Sequence, residues 1–379
     1  MSPHLPAPSP DALAHGNRLA HHIQAEIEAV GGWISFARFM ELALYAPGLG
    51  YYAAGAAKLG ATGDFITAPE LTPLFGRSVA RVVAQGLAQS GGDVLELGAG
   101  SGRLAADLLL ELERLGMLPG RYLILDVSPD LRERQRQTLE REAPHLLPRV
   151  AWLDALPASL RGVVLGNEVL DALPVHLLHW TEAGVMERGV VLGERGFAWQ
   201  DRPIDSPRLA AAAAALPVSA PYLSEVNLAA PALVESLAGC LEQGLLLFLD
   251  YGFPRAEYYH PQRDLGTLKV HYRHHSLDDP FFLPGLADLT AHVDFTAVAD
   301  AGLAAGLDLL GYTSQGRFLL DAGLLDLMRE VPLGTPDHVR AVQAVQKLVQ
   351  PHEMGELFKA VLFGRGVAAP AAFCRIDRL

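Results

Sequence analysis

The chain has 379 residues but only two cysteines, Cys240 and Cys374, far apart in sequence. A disulfide framework and a cysteine-ligated zinc site are therefore excluded, and thiol usage of this kind suits a reducing compartment, so the chain is expected in the cytoplasm. No apolar run approaches the roughly 18 residues that a membrane span needs. The best candidates, 209–218 and 244–249, stop early or meet Asp250. Charged residues are scarce at 19% while half the residues are hydrophobic, and mean hydropathy is +0.20. That balance excludes a disordered or acidic-tail protein. Positive charge is in deficit, with 30 Lys and Arg against 43 Asp and Glu, a net −13. An acidic body disfavours nucleic acid and fits a cationic partner. The opening MSPHLPAPSPDALAHGN has neither a basic start nor an apolar stretch, so it is read as a Pro-rich disordered tail over 1–16 and not as a signal peptide. H-E-x-x-H is absent, and Arg273 sits among His271, His274 and His275. That cluster reads as a basic loop, and no metal is expected. There is no internal repeat.

What is present falls into two textures. Leu19, Ile23, Ile27 and Val30 have helical spacing, and Ser35 is placed to cap a second helix through Leu44. Residues 46–69, rich in Gly, Tyr and Ala, read as loop, and 70–88 as helix. From residue 93 strands and helices alternate: a strand Asp93–Leu97, a helix over 103–115, a strand over 122–127 (YLILDV), a helix opened by Ser128 and Pro129 and running to about Glu142, and a strand over 162–166 (GVVLG). This alternation predicts an α/β fold with a parallel sheet covered on both faces. Residues 176–228 break it with short, glycine-punctuated segments expected to form antiparallel hairpins. The series resumes with a helix over 229–242, a strand over 245–250, a helix over 294–305 and a strand over 307–312. Valines at 339, 342, 345 and 349, then Met354, Leu357, Phe358 and Val361, predict two amphipathic helices over 336–363. The expected organisation is thus a tail (1–16), a helical cap (17–92), a first half-sheet (93–175), a β-rich insertion (176–228), a second half-sheet (229–320) and a helical end (321–379).

The most informative segment is Glu96-Leu97-Gly98-Ala99-Gly100-Ser101-Gly102. Glycines between a strand and a helix let backbone approach a ligand closely; a tight turn would need them too. The spacing is G-x-G-x-G and not the dinucleotide G-x-G-x-x-G. Glu96 at the strand tip would repel a pyrophosphate but suits a cation such as the methionine part of S-adenosylmethionine (SAM). Asp126, at the end of the next strand, can accept bonds from ribose hydroxyls, a feature NAD enzymes share. No Walker lysine follows the loop, and Ala99 stands where a G-x-S-x-G elbow needs glycine. The expected cofactor contacts are Glu96, Gly98, Ala99, Gly100, Ser101, Gly102, Asp126 and Val127.

At these residues the chain resembles class I SAM-dependent methyltransferases with a Rossmann-like, mixed seven-strand sheet. It resembles the MidA-like family within that class more closely. The likeness is carried by ISFARFMELALYAPGLGYY (34–52), GDFITAPELTPLFG (63–76), LELGAGSGRLAADLL (95–109), GNEVLDALPVH (166–176), DYGFPRAEYYHPQRDLGTL (250–268), HYRHH (271–275) and DLTAHVDFT (288–296), and runs from about residue 17 to 364. The resemblance implies methyl transfer from SAM to an arginine of a protein substrate, a respiratory complex I subunit in the mitochondrial relatives. It also suggests that 63–70 folds over the cofactor, with Asp64 and Thr67 as contacts, and it leaves a homodimer open.

Methyl transfer mainly requires positioning and exclusion of water. A guanidinium arrives charged and delocalised, and carboxylates can localise its charge and orient one nitrogen. Asn167, Glu168 and Asp171 supply such groups just past a strand end, and a helical turn there would put Glu168 and Asp171 on one face. Acidic complements to a helix N-terminus would account for Asp171 equally well. Two alternatives stand beside this reading: a methyltransferase for a small molecule or another side chain, and a non-catalytic assembly protein that keeps the fold.

Overall fold

The computed structural model describes residues 5–54, 67–371, 373, 377 and 379. The chain forms two compact units, the first from 1–65, 171–230 and 255–293, the second from 66–170, 231–254 and 294–379.

In the first unit, helix Pro10–Ala29 buries Gly16, Leu19, Ile23 and Ile27 along one stripe. It opens well before residue 17, inside the expected tail. Ser9 accepts a bond from the Ala12 amide at 3.2 Å and Pro10 takes the first helical position, so the local cap outweighs the proline content of the segment. Helix Phe36–Tyr45 has Ser35 as its cap, as expected. The glycine-punctuated stretch does form hairpins: His176–Thr181 pairs antiparallel with Gly184–Gly193, and that strand with Gly196–Pro203. Ile34–Ser35 and Tyr222–Val226 complete a five-stranded sheet. A second sheet pairs Lys269–Tyr272 with His275–Leu277 and with Asp288–Thr290. One core gathers Leu19, Phe36, Phe39, Val190, Val270 and Leu289 from all three chain segments.

The second unit is built on seven strands, β1 Asp93–Leu97, β2 Tyr122–Leu125, β3 Val150–Leu153, β4 Leu160–Asn167, β5 Leu241–Phe253, β6 Asp308–Ser314 and β7 Phe358–Arg365. They lie in the order β6-β7-β5-β4-β1-β2-β3 within an eight-stranded sheet whose remaining, two-residue strand is off this path. β1 to β5 pair in parallel, and β7 runs antiparallel to both β5 and β6. Helices Arg103–Arg114 and Pro129–Glu142 occupy the predicted places, the latter capped by Ser128 with Pro129 next. Val79, Val83, Val94, Ile124, Leu165, Leu247 and Leu362 share the core.

The expected second C-terminal helix is absent. Helix Pro336–Val349 forms, a short π turn follows at Pro351–Gly355, and the chain then enters β7. A central strand buried on both faces is apolar throughout, so its hydrophobic spacing does not distinguish it from a helix.

Candidate active site

The chain runs outward from β1 to β2 and β3, then returns to lay β4 on the other side of β1. That reversal opens a crevice beyond the carboxyl ends of β1 and β4, where open α/β sheets bind ligands. β1 leads into the glycine loop and β4 ends at Asn167.

Gly98, Gly100 and Gly102 have φ of 57°, 54° and 81°, left-handed values that side chains avoid. A Cβ on Gly102 would lie 2.8 Å from the Gln135 Cα, so the loop must be bare there to lie against helix Pro129–Glu142. Gln135 is fully buried and ties three strand ends together. Its Nε2 donates to the Gly100 carbonyl (3.1 Å) and to Asp126 Oδ2 (2.7 Å), and its Oε1 accepts from Trp152 Nε1 (2.9 Å). Asp126 Oδ1 also accepts from the Ser128 amide at 2.9 Å. Burial raises the Asp126 pKa against these donors. A carboxylate has about four lone-pair sites, so capacity remains for ribose hydroxyls. Val127, by contrast, is 68% exposed.

Glu96 is 2% exposed, and its Oε2 accepts from the Tyr122 hydroxyl at 2.6 Å. Burial pushes its pKa up to about 7, the Tyr122 bond opposes the rise and the Asp126 charge adds to it. Ser101 donates to Glu70 Oε1 and accepts from the Arg103 amide at 3.3 Å. Below the loop, Asp107 is buried against Arg103 (2.9 Å); burial raises its pKa to about 6 although Arg103 pulls it down.

At the end of β4, Glu168 has φ 53°. The helical turn expected to align Glu168 with Asp171 does not form, because the backbone turns left-handed at Glu168 and is held there from β5. The Glu168 amide donates to the Leu249 carbonyl (2.8 Å), and fully buried Asp250 accepts through Oδ2 from the amides of Val169 (3.0 Å) and Leu170 (2.8 Å). Glu168 Oε1 accepts from Asn167 Nδ2 at 3.1 Å and from the Ala68 amide at 3.4 Å. Asn167 Oδ1 is buried and has no hydrogen-bond partner among the described residues.

The other expected residues lie elsewhere. Asp171 falls in the first unit, where its carbonyl accepts from Ala291 and its charge adds to the burial and the Asp288 charge that raise the Tyr52 pKa. Thr67 stands at the N-cap of the short helix Ala68–Leu71 without a side-chain cap bond, and Asp64 lies outside the described residues. Gln135, Glu70 and Asp250 escaped the sequence reading. The Asp ending LLLFLD was the one available signal, an acid closing a buried strand. Asp294 caps helix Phe295–Ala304 through the Ala297 amide at 3.1 Å. Arg273 and His274 form the left-handed turn of the first unit's hairpin.

A left-handed glycine loop and an acid at the next strand end fit a nucleoside, and the Asn167 oxygen, without a partner among the described residues, leaves an acceptor for a further donor. Residues 74–313 match the family of S-adenosyl-L-methionine-dependent methyltransferases. The chain belongs to that family. A Burkholderia thailandensis protein, solved as a crystal structure bound to S-adenosyl-homocysteine (SAH), is 51% identical, with a TM-score of 0.95 and 99% of each chain covered. The mitochondrial protein arginine methyltransferase NDUFAF7 of Danio rerio is 30% identical over 89% of this chain and 85% of its own. The human NDUFAF7 is 28% identical over 90% and 82%. The methyltransferase takes SAM as its cofactor, and its mixed sheet is that of the expected fold class. The expected cytoplasmic location is overturned, because the relatives from Danio rerio, Drosophila melanogaster and Mus musculus are all mitochondrial proteins. Scarce cysteine indicates a reducing environment, which is not unique to one compartment. Among the described residues no helix is long and apolar enough to cross a membrane.

Proposed function

We propose that the methyl acceptor is an arginine side chain of a protein. The observation that carries this reading is the acceptor pair at the end of β4. The Asn167 amide is oriented by donating to Glu168, which leaves its own buried oxygen as an acceptor without a partner among the described residues, beside a carboxylate. Two neighbouring acceptors match a planar cation rich in N–H donors. The arginine methyltransferases among the relatives support the same acceptor.

Bound SAM supplies a methyl group on a sulfonium, a cation with a good leaving group. The glycine loop would bring backbone against the nucleoside, and Asp126, kept in place by Gln135 and Ser128, would take the ribose hydroxyls. Glu168 localises the guanidinium charge on the nitrogens it touches and orients the remaining one toward the methyl. As the nitrogen–carbon bond formed and the carbon–sulfur bond broke, the alkylated nitrogen would give its surplus proton to water, and the methylguanidinium would stay paired with Glu168.

Labelled-methyl transfer into a mitochondrial extract, followed by mass spectrometry of the labelled peptide, tests the acceptor; label on a methylarginine is expected. Glu168→Gln should bind SAH nearly as the parent does and transfer methyl about a hundredfold more slowly. Label on another side chain, or a Glu168→Gln protein transferring at the parent rate, would overturn the assignment.

A further inference from the structure

The geometry points to Glu70 as a positioning residue for the transfer, a side chain that holds the cofactor loop from the same short helix whose first amide meets the acceptor carboxylate. The inference rests on the arginine reading only for the identity of the acceptor.

Helix Ala68–Leu71 is short, and both of its polar contacts named above go to the ends of strands. Its first amide, at Ala68, meets Glu168 Oε1, one hundred residues away in sequence, and Glu70 meets Ser101, thirty-one residues away. One short turn therefore touches the loop after β1 and the turn after β4, the two sides of the crevice. Ser101 lies between Gly100 and Gly102, each with a left-handed φ, and Glu168 is itself left-handed. Glycines leave a loop many unbound conformations, and each must be given up when a ligand arrives. The Ser101 hydroxyl accepts from the Arg103 amide and donates to Glu70, so its one proton and its loop are fixed by these two bonds. Glu70 thus preorganises the cofactor loop, and the same turn presents a backbone donor to the carboxylate proposed to hold the acceptor.

A double-mutant cycle read through SAH affinity by calorimetry tests this. Glu70→Ala and Ser101→Ala should each weaken SAH binding about tenfold, and the double variant should be no weaker than either single one. Glu70→Gln keeps an oxygen acceptor for Ser101 and should recover most of the loss. Melting temperatures of the ligand-free variants should stay near that of the parent. With an acceptor in hand, Glu70→Ala should raise the KM for SAM more than it lowers kcat at saturating SAM, because its side chain holds the cofactor loop while the Ala68 amide still meets Glu168. Parent-like SAH affinity in Glu70→Ala, additive losses in the double variant, or equal losses in Glu70→Ala and Glu70→Gln would each overturn the inference. A parent protein that binds SAH yet methylates no arginine would sink only the acceptor reading, since the SAH cycle measures the Glu70–Ser101 coupling without an acceptor.

Discussion

Glu96 carries a proton that its solvent-exposed counterpart would lose. Burial raises its folded pKa from 4.5 to about 7. Below pH 4.5 both folded and unfolded chains hold this proton, and Glu96 gives no pH dependence. Between pH 4.5 and 7 the unfolded chain releases it while the folded chain retains it, so stability falls as pH rises through that window. Above pH 7 the full cost is present, about 3 kcal/mol as an upper bound from the size of the shift. Glu96→Gln keeps an acceptor for Tyr122 and has no charge to bury. The stability of this variant relative to the parent should therefore climb from pH 4.5 to 7 and then level off, measured on ligand-free protein by denaturant melts. A difference that stays flat over that range would show that the Glu96 carboxyl is not held neutral.

At the scale of elements, three strand ends depend on one glutamine and one bare turn. Replacing Gln135 by Leu would leave Asp126 Oδ2, the Trp152 indole N–H and the Gly100 carbonyl without their partner, and should destabilise the fold by about 2–4 kcal/mol and weaken SAH binding. Gly102→Ala combines φ 81° with a close approach to the Gln135 backbone, and should cost roughly 1–3 kcal/mol and reduce SAH affinity more than an alanine elsewhere in the loop. Equal SAH titrations for Gly102→Ala and the parent would refute the close-packing account. These elements also show what the sequence made legible. Asp93–Leu97 and Pro129–Glu142 have the predicted bounds, because a strand ending in glycines and a Ser-Pro helix start are local signals. β3 and β7 were missed for opposite reasons. Val150–Leu153 is a short edge strand with a weak pattern, and Phe358–Arg365 is so fully buried that its pattern has no period. The Glu70–Ser101 and Asp250–Val169 contacts join residues far apart in the chain, so no local spacing records them.

For the whole molecule, the chain order hides the units. Three separated segments make each one, and the sharing of one core by 19–51, 175–190 and 270–291 follows from packing that periodicity does not encode. The same interleaving predicts how the protein responds to shortening. The segment 294–379 supplies β6 and β7 to a sheet whose other strands come earlier, and β7 pairs with β5 from Gly244↔Arg365 to Tyr251↔Phe358. Removing it would leave the full edge of β5 unpaired, with Leu245, Leu247 and Leu249 stripped of Phe318, Leu348, Ala360 and Leu362 from their shared core. A chain ending at residue 293 keeps the glycine loop, Asp126, Glu168 and Asp250, all the groups assigned to cofactor and acceptor. If those groups formed a self-sufficient site, the shortened chain would bind SAH. Because the Asp250 turn that holds Glu168 is anchored at the end of β5, and β5 is stabilised by β7, we expect the fragment to be insoluble or to melt without a cooperative transition, with no SAH binding by calorimetry. A soluble fragment with a sharp melt and parent-like affinity would show that β7 is dispensable and that the crevice is held from the β1–β4 side alone.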